Sequence, residues 1–426
     1  MGVFTTSRSA LIIAYHYPPI RSIGVVRSVS FVRYLRELGY SCQVLTTSAY
    51  GGEDDVLRAW EPISIYRWLF NRKVRDGIFD SKIRTTRGIF SRILRKVLIP
   101  DAQIFWIPIA FIRGWYYIKK KQCDIVYSSF PPASAHLVAL FLHYVTGLPW
   151  TADFRDSWIF DSLDSDLQKS VWRLAVEQYL EFKVISNATV IITATEEAAQ
   201  VLRTKYPAHC SKIEVIYNGF DGQIASSCEV KFERDEFFLL HTGSFSYSHS
   251  DRTPAQLFTA LALLLEEDIN WSTRIRVVLA GLLSPEEKSA AAILMKSGIV
   301  RLGGDLSIDE VHNLQEKANV LLVVDHVRSW LSTNIPGKFF EYLAMRKPIL
   351  SIGGNGAVQN LMHQLNAGRH VDGKNPEAIR DAIKELYFSG KSGTLTCETD
   401  PKEIARFHRR KETQQLIKCF DKAILS

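Results

Sequence analysis

Two residues of opposite charge, Lys338 and Glu341, stand three positions apart at the start of a segment with helical periodicity. Residues at this spacing are neighbours on a helix surface. A helix N-terminus beside a lysine suits a phosphate, because free N–H groups and the helix dipole both favour negative charge. A carboxylate one turn further on can accept both hydroxyls of a ribose. The alternative is a surface ion pair of little energetic value, and the spacing alone leaves both interpretations open.

The elements that must position this pair are a helix and the strand that follows it. Asn334 is a suitable N-cap. Pro336 is a suitable first helical residue, because an N–H at that position would have no hydrogen-bond partner within the helix. Apolar residues then recur at helical spacing, which predicts one buried face. Pro348 ends the helix, and residues 349–352 predict a short buried strand.

Residues 336–350 (PGKFFEYLAMRKPIL) closely resemble the donor-site helix of the retaining GT-B glycosyltransferases related to glycosyltransferase family four. The resemblance implies that Glu341 holds the donor ribose and that Lys338 lies near the diphosphate as a catalytic group. One position departs from the pattern. Many of these enzymes carry a second glutamate eight residues before the ribose-binding one, in contact with the transferred sugar, and this chain has Thr333 there.

A second donor-side feature is the turn after the first predicted strand of the C-terminal half, Thr242-Gly243-Ser244. The resemblance implies that this turn faces the diphosphate, and Arg252 adds a positive charge nearby. The strand after the motif helix ends in a pair of glycines that turn the chain. The predicted donor-binding residues are Gly24, Gly243, Ser244, Arg252, Thr333, Lys338, Glu341, Gly353 and Gly354.

The acceptor side is predicted at residues 151–158 (TADFRDSW), which end a strand in the N-terminal half. Ligands bind at the carboxyl ends of parallel strands, and members of the same family carry a near-identical segment. Asp153 and Asp156 are therefore predicted to contact the acceptor hydroxyl as catalytic groups, with Arg155 holding either ligand. The alternative for Arg155 is an Arg–Asp network that fixes the loop.

The chain opens as a β-α-β unit, with an apolar run at 10–15, a helix that ends at Gly39 and a strand at 41–46. Gly24, in the loop after the first strand, is predicted to let the backbone approach a ligand, although an ordinary strand–helix turn explains it equally. No GxGxxG motif follows the strand, which argues against a dinucleotide oxidoreductase.

With 426 residues the chain suits two domains. Strands and helices alternate through both halves, which predicts an α/β protein with two doubly wound parallel sheets. The resemblance implies the GT-B fold, two Rossmann-like domains facing a cleft. The predicted divisions are an acceptor-side domain at 1–220, a nucleotide-sugar domain at 221–400, and a helix at 401–426 that crosses back. Six scattered cysteines favour a reducing cytoplasm over a zinc site or disulfides.

The net charge of +7 is concentrated in one segment. Residues 62–121 contain fourteen Lys or Arg and three Asp, a balance of +11, which leaves −4 for the remainder. Aromatic residues are interleaved with these charges, a combination useful at an anionic membrane surface. The alternative is a packed helix with a basic solvated face. A basic character confined to one segment is not a nucleic-acid signature, and the apolar runs are too interrupted to span a membrane.

The sequence therefore predicts a glycosyltransferase that moves a sugar from a nucleotide diphosphate sugar to an acceptor hydroxyl. The resemblance implies retention of configuration without a metal or other cofactor, and no DxD motif stands where a metal–diphosphate site would be expected. We expect a saccharide or lipid-linked acceptor in cell-surface polysaccharide or glycolipid synthesis, and a cytoplasmic protein peripheral to the membrane. A GT-B nucleotide-sugar epimerase and a non-catalytic scaffold that binds donor or membrane are the alternatives. The sugar, the base and the linkage stay open.

Overall fold

The computed structural model describes residues 8–20, 23–51, 55–61, 98–161, 170–226, 236–247, 252–304, 306–328 and 330–426. The chain divides into two compact units. The first contains Met1–Asn218 together with Arg409–Ser426, and the second contains Gly219–His408. Each unit is built on one parallel β-sheet, so the predicted α/β class with two doubly wound sheets is confirmed.

Over the described residues, the sheet of the first unit has seven strands in the order β3-β2-β1-β4-β5-β6-β7. They are β1 (Ser9–Ile13), β2 (Ser41–Thr47), β3 (Leu57–Ala59), β4 (Ile125–Phe130), β5 (Trp150–Phe154), β6 (Val190–Thr193) and β7 (Ile213–Val215). The central strands β1, β4, β5 and β6 are buried along their whole length. This is why they appear in the sequence as continuous apolar runs and not as alternating patterns.

Helices connect these strands and cover both faces of the sheet. They are α1 (Ile23–Glu37), α2 (Ile107–Lys121), α3 (Ala133–Thr146), α4 (Val171–Asn187) and α5 (Glu196–Lys205). Alternate residues of β1 point to opposite faces. Leu11 and Ile13 join the core beneath α2, α3 and α4, whereas Ala10 and Ile12 join the core beneath α1.

In its described ranges, the second unit repeats the plan with six strands in the order β10-β9-β8-β11-β12-β13. Its strands are β8 (Phe237–Thr242), β9 (Ile275–Ala280), β10 (Val300–Leu302), β11 (Val320–Val324), β12 (Ile349–Gly353) and β13 (Gly368–Asp372). Its helices are α6 (Ala255–Glu267), α7 (Trp271–Arg274), α8 (Pro285–Ser297), α9 (Ile308–Lys317), α10 (Gly337–Ala344), α11 (Ala357–Leu365), α12 (Pro376–Lys391) and α13 (Pro401–Ala405).

Each sheet reverses its strand order once, at β1/β4 in the first unit and at β8/β11 in the second. At such a switch point the connections leave in opposite directions, which opens a crevice at the carboxyl ends of the two strands. Ligands of open α/β sheets bind there. The topology alone therefore indicates a ligand site in each unit, at the carboxyl ends of β1 and β4 and of β8 and β11.

The last helix, α14 (Arg409–Leu425), belongs to the first unit. Its buried face, which includes Leu416 and Phe420, packs in the same core as α1. The Phe420 ring lies 6.1 Å from the Tyr127 ring of β4 and 5.9 Å from the Tyr40 ring. The chain thus passes from the first unit to the second at 218–219 and returns to the first unit at 408–409.

The motif helix α10 differs from its prediction at the N-terminus. It begins at Gly337, and Pro336 occupies the N-cap position with a ψ of 136° and no side-chain cap. The prediction of Asn334 as the cap is therefore wrong, because the extended conformation of Pro336 delays the first helical residue by one. By contrast, α9 begins with a capping box formed by Ser307 and Glu310.

Candidate functional site

A partly buried lysine lies at the switch point of the second unit. Lys338, in the first turn of α10, donates through Nζ to the Thr242 carbonyl at 2.6 Å, at the end of β8. The same Nζ lies 3.1 Å from His241 Nε2. His241 Nδ1 lies 3.0 Å from the Leu322 carbonyl of β11. A ring nitrogen facing a carbonyl must carry the proton, so the neutral His241 accepts from the lysine at Nε2.

The electrostatic surroundings of this pair disfavour positive charge. Burial, followed by the charge of Lys338, lowers the pKa of His241 well below its usual range. Burial and the charge of Arg252 lower the pKa of Lys338 to about 7, against the opposing influence of Asp325 and Glu341. An anion placed beside Lys338 would stabilise the charged ammonium and raise its pKa again.

Arg252 supplies the second cation of the cluster. Its Nη2 donates to Asp325 Oδ1 at 3.2 Å, and the two side chains are 12% and 7% exposed. Its Nε is buried and, among the described residues, has no hydrogen-bond partner. An arginine offers five N–H donors in a fixed plane. Arg252 therefore keeps donor capacity beyond its ion pair.

Glycines allow the strand ends of the second unit to approach one another closely. Gly243 has a φ of +90°, and a Cβ there would lie 3.5 Å from Lys338 Nζ. A Cβ on Gly281 would lie 2.5 Å from the Gly243 backbone, so any other residue would push this turn away. Gly353 and Gly354 pack in the same manner, with Cβ positions 3.2 Å from Asp325 Cβ and 3.3 Å from the His326 carbonyl.

The remaining predicted donor residues lie around this cluster in different environments. Glu341 is exposed on α10, one turn after the lysine, and Ser244 is half-buried. Thr333 is only 1% exposed. The structure thus gathers Lys338, Arg252 and the glycines at the switch point, with Glu341 beside them at the surface.

Two further residues of this cluster contact partners that are distant in the sequence. Tyr342 places its hydroxyl 2.9 Å from both the Thr242 amide and the Thr242 Oγ1, which fixes α10 against the end of β8. His241 contacts Lys338, which lies 97 residues further along the chain. No local spacing rule could reveal either contact, because both join distant parts of the chain.

Asp153, predicted to touch the acceptor, is fully buried at the carboxyl-terminal half of β5. Its two oxygens accept from Arg27 Nε at 2.9 Å and from Arg27 Nη2 at 3.0 Å. It also accepts from the Tyr127 hydroxyl at 2.5 Å. Arg27 in turn donates to the Ile216 and Tyr217 carbonyls at 3.0 and 2.8 Å. Asp153 therefore lies in the core, and its side chain has no exposed surface in this structure.

Electrostatics support this structural role. Burial disfavours the charge of Arg27, but the neighbouring Asp153 outweighs it and raises the pKa of Arg27 above its usual value. Burial and the Asp153 charge likewise raise the pKa of Tyr127. Buried charges that are paired in this bidentate manner stay ionised and fix the elements that carry them.

The nearby Arg155, Asp156 and Gly24 form a network of their own. Arg155 donates to Asp156 Oδ2 through Nε at 3.2 Å and Nη2 at 3.0 Å, and it also donates to the Gly24 carbonyl. A Cβ on Gly24 would lie 2.8 Å from Arg155 Nη1. In this structure the close approach that Gly24 permits is made by the Arg155 guanidinium, and the predicted approach of a ligand to Gly24 stays a prediction. Asp156 keeps a 23% exposed side chain.

Within the described ranges, no group of three or more His, Cys, Asp or Glu is placed to hold a metal ion. No helix in the described parts of the chain has the length and apolar character needed to cross a membrane. Of the basic segment 62–121, residues 62–97 lie outside the described residues, and its membrane contact stays a prediction.

Comparisons with known proteins agree with this architecture. The sequence model of Glycosyltransferase Family 4 matches residues 24–223. No curated protein matches the chain. Among solved structures, sucrose-phosphate synthase from Thermosynechococcus elongatus is similar at a TM-score of 0.67 and 13% identity, over 97% of this chain and 98% of the other.

Two further solved structures are similar over almost their whole length. HepE of Anabaena, solved with UDP and glucose, has a TM-score of 0.58 at 14% identity and covers 97% of this chain and 99% of its own. A putative UDP-N-acetylglucosamine 2-epimerase from Listeria monocytogenes has a TM-score of 0.56 at 11% identity, over 96% and 95% of the two chains. The chain therefore has the GT-B fold, and residues 24–223 match a glycosyltransferase family.

Proposed function

We propose that the protein is a glycosyltransferase that moves a sugar from a nucleotide diphosphate sugar to an acceptor hydroxyl with retention of configuration. One observation carries the proposal. Lys338, whose pKa is lowered and whose Nζ contacts a neutral histidine and a carbonyl, and Arg252, whose buried Nε has no hydrogen-bond partner among the described residues, meet at the β8/β11 switch point with Asp325 as the ion-pair partner of Arg252. A diphosphate supplies the missing negative charge at the place where the topology puts a ligand. The family match over the first unit supports the same reaction.

In this proposal Lys338 is the catalytic cation of the donor side. When the bond between sugar and diphosphate breaks, negative charge grows on the departing diphosphate. A preorganised N–H donor stabilises that charge more in the transition state than in the ground state. Lys338 lies 2.6 Å from the Thr242 carbonyl, a contact that it exchanges for the diphosphate, while Arg252 adds a second donor. No metal or other cofactor enters this scheme.

The other donor contacts follow from position on α10 and from the family motif. Glu341, exposed one turn from Lys338, is proposed to accept the hydroxyls of the ribose. Thr333 takes the position that faces the transferred sugar. The turn at Gly243 faces the diphosphate in this proposal, because a Cβ there would fill part of the space beside Lys338 Nζ. Gly353 and Gly354 contribute by letting the end of β12 pack closely against Asp325 and His326.

On the acceptor side, Asp156 is the proposed contact to the hydroxyl, because its carboxylate is partly exposed and held by Arg155. Asp153 acts in the proposal through Arg27, which ties the end of β5 to the segment after β7. It is thus a positioning residue and not a group that touches the acceptor.

The acceptor and location are proposed from chemistry and resemblance together. We infer a saccharide or lipid-linked acceptor in cell-surface polysaccharide or glycolipid synthesis, used by a cytoplasmic protein at the inner face of the membrane. Because HepE was solved with UDP and glucose, UDP-sugars are the first donors to test. A thermal-shift screen of nucleotide sugars would identify the donor, because a bound ligand stabilises the fold by mass action.

A GT-B epimerase is the alternative enzyme, and the similarity to the Listeria protein is the observation behind it. Product analysis with and without candidate acceptors separates the possibilities. Acceptor-dependent release of nucleoside diphosphate supports transfer. Conversion of the donor into a different nucleotide sugar without an acceptor indicates epimerisation. Donor binding without turnover under every condition indicates a non-catalytic scaffold.

A further inference from the structure

Three neighbouring helices of the first unit carry large apolar side chains on their outer surface. α3 packs against both α2 and α4, and all three cover the same core. Monomeric proteins rarely leave so many aromatic residues exposed in one region. The exposed set is Ile112, Trp115 and Tyr116 on α2, Phe141, Tyr144 and Val145 on α3, and Trp172, Tyr179 and Phe182 on α4.

The spacing shows that each helix presents an outward stripe. On α2 and on α3 the three residues fall at i, i+3 and i+4, which places them on one side of the helix. Trp172, Tyr179 and Phe182 recur at about the same period on α4. The rings of Phe111 on α2 and Phe141 on α3 lie 6.5 Å apart, so the two stripes adjoin. We call these three stripes together the outer aromatic face.

The outer aromatic face has basic residues and no exposed acid. Glu177 and Glu181 are the only acidic residues of the three helices, and both are buried. Glu177 pairs with Arg173 and accepts from Trp158, and Glu181 pairs with Lys205.

Exposed positive charges sit among the rings of the same face. α2 exposes Arg113, Lys119, Lys120 and Lys121. Lys120 Nζ lies 5.8 Å from the Tyr116 ring centroid, and Lys183 Nζ lies 5.4 Å from that of Tyr179. Tryptophan and tyrosine, with an apolar body and a polar end, suit the boundary between lipid and water. Basic residues beside them attract anionic headgroups.

We propose that the outer aromatic face docks on an anionic lipid bilayer. The face combines apolar area for the acyl boundary with positive charge for the headgroups, the two contributions that drive peripheral binding. A second copy of the chain fits less well, because pairing two such faces would oppose basic residues with no acidic partners. The proposal concerns described residues outside the donor cluster, and it stands whether or not the protein transfers sugar.

Vesicle flotation of the full chain tests the proposal. Wild-type protein should float with phosphatidylcholine vesicles that contain phosphatidylglycerol at low salt, and binding should fall at high salt and with phosphatidylcholine alone. The triple variant Trp115→Ser, Tyr116→Ser and Tyr179→Ser should lower the partition coefficient at least about tenfold, because each ring loses its apolar burial in the membrane. Reversal of charge at Lys119, Lys120 and Lys121 to Glu should abolish binding at low salt.

A matched control uses an exposed apolar residue and lysines on α8 of the second unit. Ile293 is 78% exposed, and Ile293→Ser with Lys288→Glu and Lys296→Glu should float like the wild type. Thermal unfolding and UDP-sugar binding should be unchanged in all variants, which separates membrane docking from folding and from the donor site. The proposal is overturned if the wild type fails to float on anionic vesicles, or if the triple aromatic variant floats normally. It is equally overturned if these aromatic residues instead hold a dimer that binds no vesicles.

Discussion

Charged side chains lie at strand ends in both units, but their partners and the shifts of their pKa values are opposite. In the first unit Arg27 and Asp153 form a bidentate pair, and the acid raises the pKa of the arginine. In the second unit Lys338 contacts a neutral histidine and a carbonyl, and burial lowers its pKa to about 7. The comparison teaches that a buried charge with a full set of partners fixes the fold. We propose that a cation whose hydrogen-bond partners are neutral, as those of Lys338 are, binds an anionic ligand.

The largest expected effect is on stability in the first unit. Asp153→Ala leaves the Arg27 guanidinium buried without its partner, and breaking such a pair costs about 3–5 kcal/mol of unfolding free energy. Urea denaturation followed by circular dichroism measures this loss. Asp156→Ala, in a partly exposed pair, is the matched control and should cost about 1 kcal/mol or less. If Asp153→Ala keeps its full stability but loses sugar transfer, the positioning role is wrong and Asp153 contacts the acceptor.

The second prediction concerns catalysis in the second unit. Lys338→Met should lower kcat by about 10²–10³, the usual loss for one donor to developing negative charge. It should leave unfolding free energy within about 1 kcal/mol of the wild type, because a buried charge is replaced by an apolar chain of similar length. Steady-state kinetics and urea denaturation measure the two. A donor KM that rises while kcat stays unchanged would reduce Lys338 to a binding residue.

A smaller effect is expected at the ribose contact. Glu341→Gln should weaken binding of a nucleotide sugar by about 1–3 kcal/mol, because a hydrogen bond to a charged group is lost. Isothermal titration calorimetry measures the change. Glu377→Gln, in the first turn of α12, is a control of the same charge change outside the cluster. Donor affinity equal to wild type in Glu341→Gln would remove this residue from the site.

Local sequence pattern predicted much of the fold and part of the site. Apolar runs indicated the buried strands, and the spacing of Lys338 and Glu341 indicated their helix. The side chains that contact Asp153 and Gly24 could not be predicted from the sequence, for a physical reason. Their partners, Arg27 and Arg155, lie 126 and 131 residues away, so only the assembled sheet shows that the space beside them is filled. The same holds for Tyr342 and Thr242, which are 100 residues apart.

The pH dependence of donor binding tests the central claim most directly. Below about pH 7 the free protein already carries a protonated Lys338, so binding takes up no proton and affinity is constant. Above that pH the lysine must gain a proton on binding. Affinity should then fall by up to about tenfold per pH unit until the raised pKa of the complex is passed.

Calorimetry of UDP-glucose between about pH 6 and 9, in buffers of different ionisation enthalpy, provides this measurement. A sugar-linked diphosphate does not itself titrate in this range, and Lys338→Arg, which stays charged throughout, should show no such slope. Proton uptake that begins near pH 7 in the wild type and is absent in Lys338→Arg is the predicted result. Equal affinity and no proton uptake across the range in the wild type would contradict the claim that Lys338 loses its charge near pH 7 in the free protein and regains it when the diphosphate binds.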